Sequence, residues 1–97
     1  MKVKVARVYL SEHAKVHEKL MNFLHDEAKV SGATLFRGIS GFGRSGHVHT
    51  ASLLELSLDL PVVVEFFDSP ERVSEVIAQL RDFIEPLHIL LFDAELV

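Results

Sequence analysis

The sequence predicts a single α+β domain of 97 residues, in which two strand–helix–strand units follow one another. Two segments have the apolar spacing of amphipathic helices, and each is flanked by apolar segments with the pattern of strands. Two crossovers of this kind place both helices on one face of a four-stranded antiparallel sheet. The predicted architecture is therefore the ferredoxin-like βαββαβ fold.

The first half of the chain supplies a strand, a helix and a second strand. Residues 3–10 are apolar on both faces of an extended segment, which predicts a strand covered on both sides. Residues 14–30 carry one helical stripe, made of Val16, Leu20, Phe23, Leu24 and Ala28. Ser11 is expected to cap this helix or to lie in the turn before it, and Gly32 is expected to end the helix in the left-handed conformation. Residues 33–37 form a short strand.

The second half repeats the pattern. A long alternation of apolar residues predicts the main strand at residues 61–67, preceded by an extended arm. Pro61 lacks a backbone donor, so we expect a bend, a bulge or a lost pairing there. Ser69 and Pro70 suit the cap and first position of a helix whose stripe is Val73, Val76, Ile77, Leu80, Phe83 and Ile84. Residues 88–97 form the final strand.

Composition excludes several classes of function. The net charge is −4 and the basic residues are scattered, which argues against nucleic-acid binding. No apolar run approaches the ~18 residues of a membrane span, so no direct membrane insertion is expected. The segment MKVKVARVYL lacks the apolar core of a signal peptide, and a cytoplasmic protein is predicted. Without cysteine there is no thiolate chemistry.

The face of the sheet opposite the helices predicts self-association. Val3, Val5, Val63 and Phe67 lie on that face and would be exposed in a monomer. The chain is also 48% hydrophobic, which is high for a small domain. A homo-oligomer that buries this face explains both observations, and a monomer with an apolar surface is the alternative.

The connection between the two middle strands, from Gly38 to Leu60, is far longer than the usual ~2–5 residues of a hairpin loop. We expect its mobile part at about residues 40–52. Gly41 and Gly43 bracket Phe42, permit backbone angles closed to other residues, and let the backbone approach a phosphate. The alternative is simple turn geometry.

Charged and titratable residues flank these glycines. Arg37 and Arg44 carry guanidinium groups suited to phosphate or carboxylate. His47 and His49 share one side of an extended segment and are a candidate divalent-metal pair, although loop histidines are more often solvated. His13 and His17 have helical ligand spacing, but the glutamate of the hydrolytic zinc motif is missing.

No constellation of residues indicates catalysis. The sequence contains no convincing nucleophile–base pair and no carboxylates paired at a catalytic spacing. Glu65 and Asp68 flank the end of a predicted strand, where a structural role on the strand face and at the helix approach is favoured. We therefore predict that the protein is not an enzyme and requires no cofactor.

Two segments, GATLFRGISGFGRSGHVHTA and DLPVVVEFFD, resemble the DUF190 family of the PII-like superfamily over nearly the whole chain. GFGRSGH is also similar to GFGRQKGH at the base of the T-loop in PII signal-transduction proteins. The resemblance implies a trimer, adenine nucleotides (AMP, ADP or ATP) in clefts between subunits, and a T-loop at about residues 39–59 that contacts a partner such as a membrane transporter. CutA proteins, linked to divalent-ion tolerance, share the trimeric architecture.

The resemblance also assigns residues. It places the ligand site at Arg37, Gly38, Gly41, Phe42, Gly43 and Arg44, and the partner-contacting loop at Ser45, Gly46, His47, His49 and Thr50. Two features depart from PII proteins. The segment after the second helix is DFIEPLHI, which lacks the Lys, Arg and Gly that PII proteins have there. The loop tyrosine that can be modified in PII proteins is also missing, since the only tyrosine of the sequence is Tyr9. A nucleotide with less charge than ATP, such as AMP, would need less countercharge.

Three functions remain open on these residues. The first is a PII-like regulator that binds a nucleotide at a subunit interface. The second is a CutA-like metal-binding protein that uses His47 and His49. The third is a regulatory domain of the amino-acid-sensing type, which shares the fold class. The fold alone does not choose among these three functions.

Overall fold

The computed structural model describes residues 1–12, 15–43, 48–50 and 60–97. Strands and helices occur in the predicted order, with one additional short hairpin. The elements are β1 (Lys2–Ser11), α1 (Val16–Asn22), a π-helical segment (Phe23–Ala28), β2 (Gly32–Arg37), β3 (Ser40–Phe42), β4 (Val48–Thr50), β5 (Pro61–Asp68), α2 (Pro70–Leu80) and β6 (Ile89–Glu95).

The main sheet has the strand order β2-β5-β1-β6, and every neighbouring pair is antiparallel. This order confirms the ferredoxin-like fold. Within the part of the chain that the structure describes, strands β3 and β4 pair only with each other. A hydrogen bond also connects the residues before β1 and after β6. The Met1 ammonium donates to the Leu96 carbonyl over 2.8 Å.

The hydrophobic core lies between the sheet and the two helical elements. The register aligns Ala6 with Phe66 and Val8 with Val64, so these side chains share the face that the helices cover. The buried cluster consists of Ala6, Val8, Leu20, Leu24, Ala28, Val64, Phe66, Val73, Val76, Leu80 and Ile84. Most of the predicted helical stripes therefore face the sheet as expected.

The ends of the first helix differ from the prediction. Ser11 is the last residue of β1 and does not cap the helix; Lys15 precedes α1 in the left-handed conformation, at φ 55°. The left-handed residue after the π-helical segment is Lys29, at φ 50°, so Gly32 does not end the helix. Gly32 instead starts β2, where an added Cβ would lie 2.5 Å from Phe67 Cε1.

A π-helical segment replaces the second half of the predicted α-helix. The Lys29 N–H donates to the Leu24 carbonyl, five residues back. The Nη2 group of Arg72 donates to the Ala28 carbonyl over 2.6 Å and thereby satisfies an acceptor at the end of the segment. This contact ties the π-helical segment to α2.

Helix α2 begins as the sequence predicts. The Arg72 N–H donates to Ser69 Oγ over 3.3 Å, and Pro70 is the first helical residue. The helix ends at Leu80, so Phe83 and the buried Ile84 lie in the turn that follows. Strand β5 begins at Pro61, opposite Ser11, where a missing N–H is tolerated without a bulge.

We expect Ser69→Ala to lower the free energy of unfolding by about 1 kcal/mol, because it removes the acceptor for the Arg72 N–H. Ser74→Ala is the matched control, since Ser74 lies exposed within the helix and alanine has the higher helix propensity. Urea denaturation followed by circular dichroism measures both. Equal stabilities of the two variants would contradict the capping role.

The side of the sheet away from the helices is apolar, but the exposed residues differ from those predicted. Val3 and Val5 are already buried in a single chain, while Val63 and Phe67 are half-buried. Val5 lies between Phe67 and Phe92 in the register, and Val63 between Tyr9 and Phe36, so neighbouring side chains cover them. The exposed apolar residues there are Tyr9, Phe36, Leu90 and Phe92. We call this surface the open sheet face.

Candidate ligand site at the base of the long connection

The candidate site lies where β2 passes into β3, next to the first residue of β5. The Gly38 N–H donates to the Pro61 carbonyl over 2.7 Å. A Cβ at Gly38 would lie 2.8 Å from Pro61 Cγ and 3.3 Å from the Pro61 oxygen. Only glycine permits this approach without a shift of the backbone, so Gly38 anchors the base of the connection on β5.

The other two glycines do not act as predicted. Neither Gly41 nor Gly43 has a positive φ, so the expectation of glycine-only backbone angles is wrong for both. Gly41 lies in β3 opposite His49, and a Cβ there would be 3.4 Å from Pro61 Cγ. Among the described residues, a Cβ at Gly43 would meet nothing within 4 Å. Gly38 and Gly41 therefore share the contact with Pro61, and Gly43 does not take part in it.

Arg37 forms an ion pair with Glu12 at the end of β2. The Arg37 side chain is 57% exposed and that of Glu12 is 17% exposed, so the guanidinium reaches solvent while the carboxylate is largely covered. The Glu12 N–H donates to the Leu60 carbonyl over 2.9 Å. A ligand at Arg37 therefore meets a guanidinium whose charge is already partly balanced.

Glu12 is a site residue that the sequence patterns missed. It directly follows β1, and both β1 and β2 end beside the start of β5, where Ser11 pairs with Pro61 and Arg37 with Val62. The strand order of the ferredoxin-like fold brings those ends together. The predicted topology therefore contained the signal that would have placed Glu12 near Arg37.

Exposed apolar side chains follow one another through this turn. Phe36 is 51% exposed, Ile39 is 80% exposed and Phe42 is 75% exposed. Large apolar side chains that are this open near polar groups are typical of surfaces that contact a ligand ring or another protein chain. The role of Phe42 as a site residue stays a prediction.

The hairpin of β3 and β4 lies within the segment predicted to be mobile. Ser40 pairs with Thr50, Gly41 with His49 and Phe42 with Val48. Part of the connection is therefore a short ladder rather than a loop throughout. Arg44, Ser45, Gly46 and His47, with residues 51–59, lie outside the described residues.

The predicted metal ligands are only partly described. His47 and His13 lie outside the described residues, and His49 is placed by its backbone in β4. His17 is buried, and its Nδ1 has no hydrogen-bond partner among the described residues. Within the described ranges, no three His, Cys, Asp or Glu side chains gather where they could hold a metal ion.

Glu65 and Asp68 have the structural contacts favoured above. Glu65 Oε1 accepts from Arg7 Nε over 2.8 Å. Asp68 accepts from the backbone N–H of Ser31 over 3.0 Å and from that of Ser69 over 2.7 Å. Both carboxylates therefore connect elements of the fold.

The segment from Asp82 to Ile89 is the one for which the resemblance to PII proteins predicts basic residues. Leu87 is left-handed at φ 68° and exposed, and His88 Nδ1 lies 2.9 Å from the Tyr9 carbonyl. Residues 82–89 contain no Lys or Arg, and Arg81 lies between them and the last residue of α2.

The fold and strand order define a ferredoxin-like α+β protein. CPII from Thiomonas intermedia, a nitrogen regulatory PII-like protein solved with ADP and bicarbonate, matches with a TM-score of 0.71 and 20% identity, over 99% of this chain and 89% of CPII. The divalent ion tolerance protein CutA1 from Ehrlichia chaffeensis matches with a TM-score of 0.62 and 7% identity, over 98% of this chain and 81% of CutA1.

Sequence relatives specify the family. A UPF0166 protein of Methanocaldococcus jannaschii is 33% identical over 90 residues, which cover 88% of this chain and 82% of the relative. A UPF0166 protein of Aquifex aeolicus is 32% identical over 85 residues, covering 84% and 81%. The profile of DUF190, described as an uncharacterized ACR, matches residues 3–96, and the chain belongs to this family. Among the described residues, no helix is long and apolar enough to cross a membrane.

Proposed function

We propose that this protein is a PII-like regulatory protein, which binds an adenine nucleotide at the base of the long connection and presents that connection to a partner protein. The observation that carries the proposal is the anchored turn, in which Gly38 is held on Pro61 beside the exposed Arg37 and Phe42. The turn thus carries an exposed guanidinium at Arg37 and an exposed ring at Phe42, which are groups that suit the phosphate and the flat base of a nucleotide.

The proposed site is completed by other copies of the chain. Phe36, Ile39 and Phe42 are exposed in one chain, and an adenine ring held against them would remain open to water on its other side. A neighbouring subunit would supply the second wall, as in the trimers that the PII-like resemblance implies. A ligand bound at such a boundary shifts the long connection towards one conformation only if the ligand has a higher affinity for that conformation.

The charge around the site favours AMP or ADP over ATP. Arg37 already faces Glu12, and residues 82–89 supply no Lys or Arg for a third phosphate. Arg44 follows the turn and is the remaining arginine of the connection. CPII was solved with ADP, AMP and bicarbonate, so bicarbonate is the second ligand to titrate.

Calorimetric titration of AMP, ADP and ATP, with and without bicarbonate, is expected to show binding that weakens from AMP or ADP to ATP. A nucleotide at 100 times its Kd adds about 2.7 kcal/mol of stability, which is readily seen as a rise in Tm. We expect Arg44→Ala to abolish that rise because it removes a phosphate contact. Lys2→Ala is the control, since it removes the same charge from the start of β1.

The absence of heat for all three nucleotides, with or without bicarbonate, would disprove nucleotide binding. An equal loss in Arg44→Ala and Lys2→Ala would show that net charge matters rather than the site. No described contact favours the CutA-like alternative over the regulatory one, because His47 lies outside the described residues.

A further inference from the structure

A groove runs between the two helical elements, on the side of the molecule away from the open sheet face. We call it the helix groove; its volume is about 700 Å³, and the residues that carry its chemistry are Lys19, Phe23, Asp26, Glu27, Asp82 and Phe83. The hydrogen bond from Arg72 to the Ala28 carbonyl ties the start of α2 to the end of the π-helical segment. The two walls of the groove are therefore held together at one end.

Two aromatic rings form the floor of the helix groove. The rings of Phe23 and Phe83 meet edge to face, with centroids 6.0 Å apart and an angle of 75° between their planes. Both side chains are half-buried and pack against the hydrophobic core. The Lys19 ammonium lies 4.6 Å from the centroid of the Phe83 ring, a cation–π distance. The floor therefore already holds a cation, which the chain itself supplies.

The charge of the lining is negative. Asp82 directly precedes Phe83, while Asp26 and Glu27 lie on the opposite wall in the π-helical segment, and all three carboxylates are exposed. Among the described residues that line the groove, the Lys19 ammonium is the one cation, so the net charge of the lining is −2. A cation that replaced Lys19 on the ring would find carboxylates on both walls.

An open groove of this kind suits a segment of protein chain better than a free small molecule. A small cation would remain largely in water beside these exposed carboxylates, whereas ligand pockets enclose most of their ligand. A chain segment can cover both rings with apolar side chains and reach the carboxylates of both walls with basic ones. The complementary partner is therefore a basic segment that also carries apolar side chains.

We propose that the helix groove binds a basic segment of a partner protein, whose Arg or Lys side chain replaces the Lys19 ammonium on the Phe83 ring. This inference does not depend on nucleotide binding. It adds a partner surface on the helical side of the molecule, separate from the long connection.

Selection from a display library of random linear peptides about 12 residues long tests the groove. We expect the selected peptides to combine Arg or Lys with aromatic or leucine residues. Their affinity, measured by fluorescence anisotropy, should fall at least about threefold in Asp82→Asn and in Phe83→Leu, which keeps an apolar side chain but removes the ring. Glu71→Gln is the control and should bind as wild type, because Glu71 lies in the first turn of α2, outside the helix groove.

Lys19→Gln tests the replacement of the chain's own cation. It frees the Phe83 ring and removes the one ammonium of the lining, so the affinity for the selected peptides should rise at least about threefold. Lys2→Gln removes the same charge from the start of β1 and should bind as wild type. A lower affinity in Lys19→Gln, or an equal rise in both variants, would overturn the replacement of Lys19.

The remaining outcomes decide against the inference. A selection that yields no basic peptide, or basic peptides whose affinity no groove variant changes, would overturn it. Spermidine that binds as tightly as the peptides and competes with them would make the occupant a free cation instead. If Phe83→Leu fails to fold, unchanged affinity in both Asp82→Asn and Lys19→Gln overturns the inference, because both of these side chains are exposed. Nucleotide titration of the same variants reports separately on the proposed function.

Discussion

Replacing Phe66 by alanine is expected to lower the free energy of unfolding by about 3–5 kcal/mol. Phe66 is fully buried on β5, opposite Ala6 on one neighbouring strand and Ala33 on the other. Its ring fills the space that these two small residues leave below the helices. Since a domain of this size has a total stability of about 5–15 kcal/mol, the loss would be a large fraction of it. Urea denaturation followed by circular dichroism measures the change.

Phe42→Ala is the matched control for this prediction. The same ring is removed, but Phe42 is 75% exposed, so the change in stability should stay within about 0.5 kcal/mol. A loss below about 1 kcal/mol for Phe66→Ala would mean that Phe66 does not fill the core, and the face assignment of β5 would then be wrong.

Gly38→Ala is expected to cost about 1–3 kcal/mol and to weaken the response to nucleotide. The new Cβ would lie 2.8 Å from Pro61 Cγ, so the turn must move and the hydrogen bond from the Gly38 N–H to the Pro61 carbonyl must lengthen. Because Arg37 is the preceding residue, its guanidinium would shift as well. Urea denaturation measures the stability, and the nucleotide-induced rise in Tm measures the ligand response.

Gly43→Ala provides the comparison for Gly38→Ala. It makes the same chemical change in the same turn, but the added methyl group meets none of the described residues within 4 Å, and φ is not positive. We expect its stability to remain within about 0.5 kcal/mol of wild type. Equal costs at both positions would show that loss of backbone freedom, rather than the contact with Pro61, makes glycine necessary.

Hydrophobic periodicity was sufficient to predict the fold but not the ends of its first helix. The order of strands and helices follows from apolar patterns, and Ser69 with Pro70 marked the start of α2 correctly. The π-helical segment escaped prediction because apolar residues four and five apart suit either an α-helix or a π-helix. Lys15 and Lys29 take left-handed conformations that the sequence does not favour, so tertiary contacts determine those ends.

The candidate site was predictable in residue type but not in contacts. Arg37 and Gly38 were expected from their chemistry, and both lie at the turn. The partner of Arg37 depends on which strand ends meet, which no local pattern of residues specifies. The ladder of β3 and β4 is only three residues long, and β3 contains Gly41 and no β-branched residue, so its sequence does not predict a strand.

The sheet order also constrains how the chain can fold during synthesis. β1 is made first, yet it lies between β5 and β6, and the register pairs Lys4 with Asp68 on one side and with Asp93 on the other. The backbone N–H and C=O groups of β1 cannot form their sheet hydrogen bonds on either side until the ribosome has made these later strands. The fold therefore has high contact order, closes its sheet late, and leaves an apolar strand with two open edges during translation.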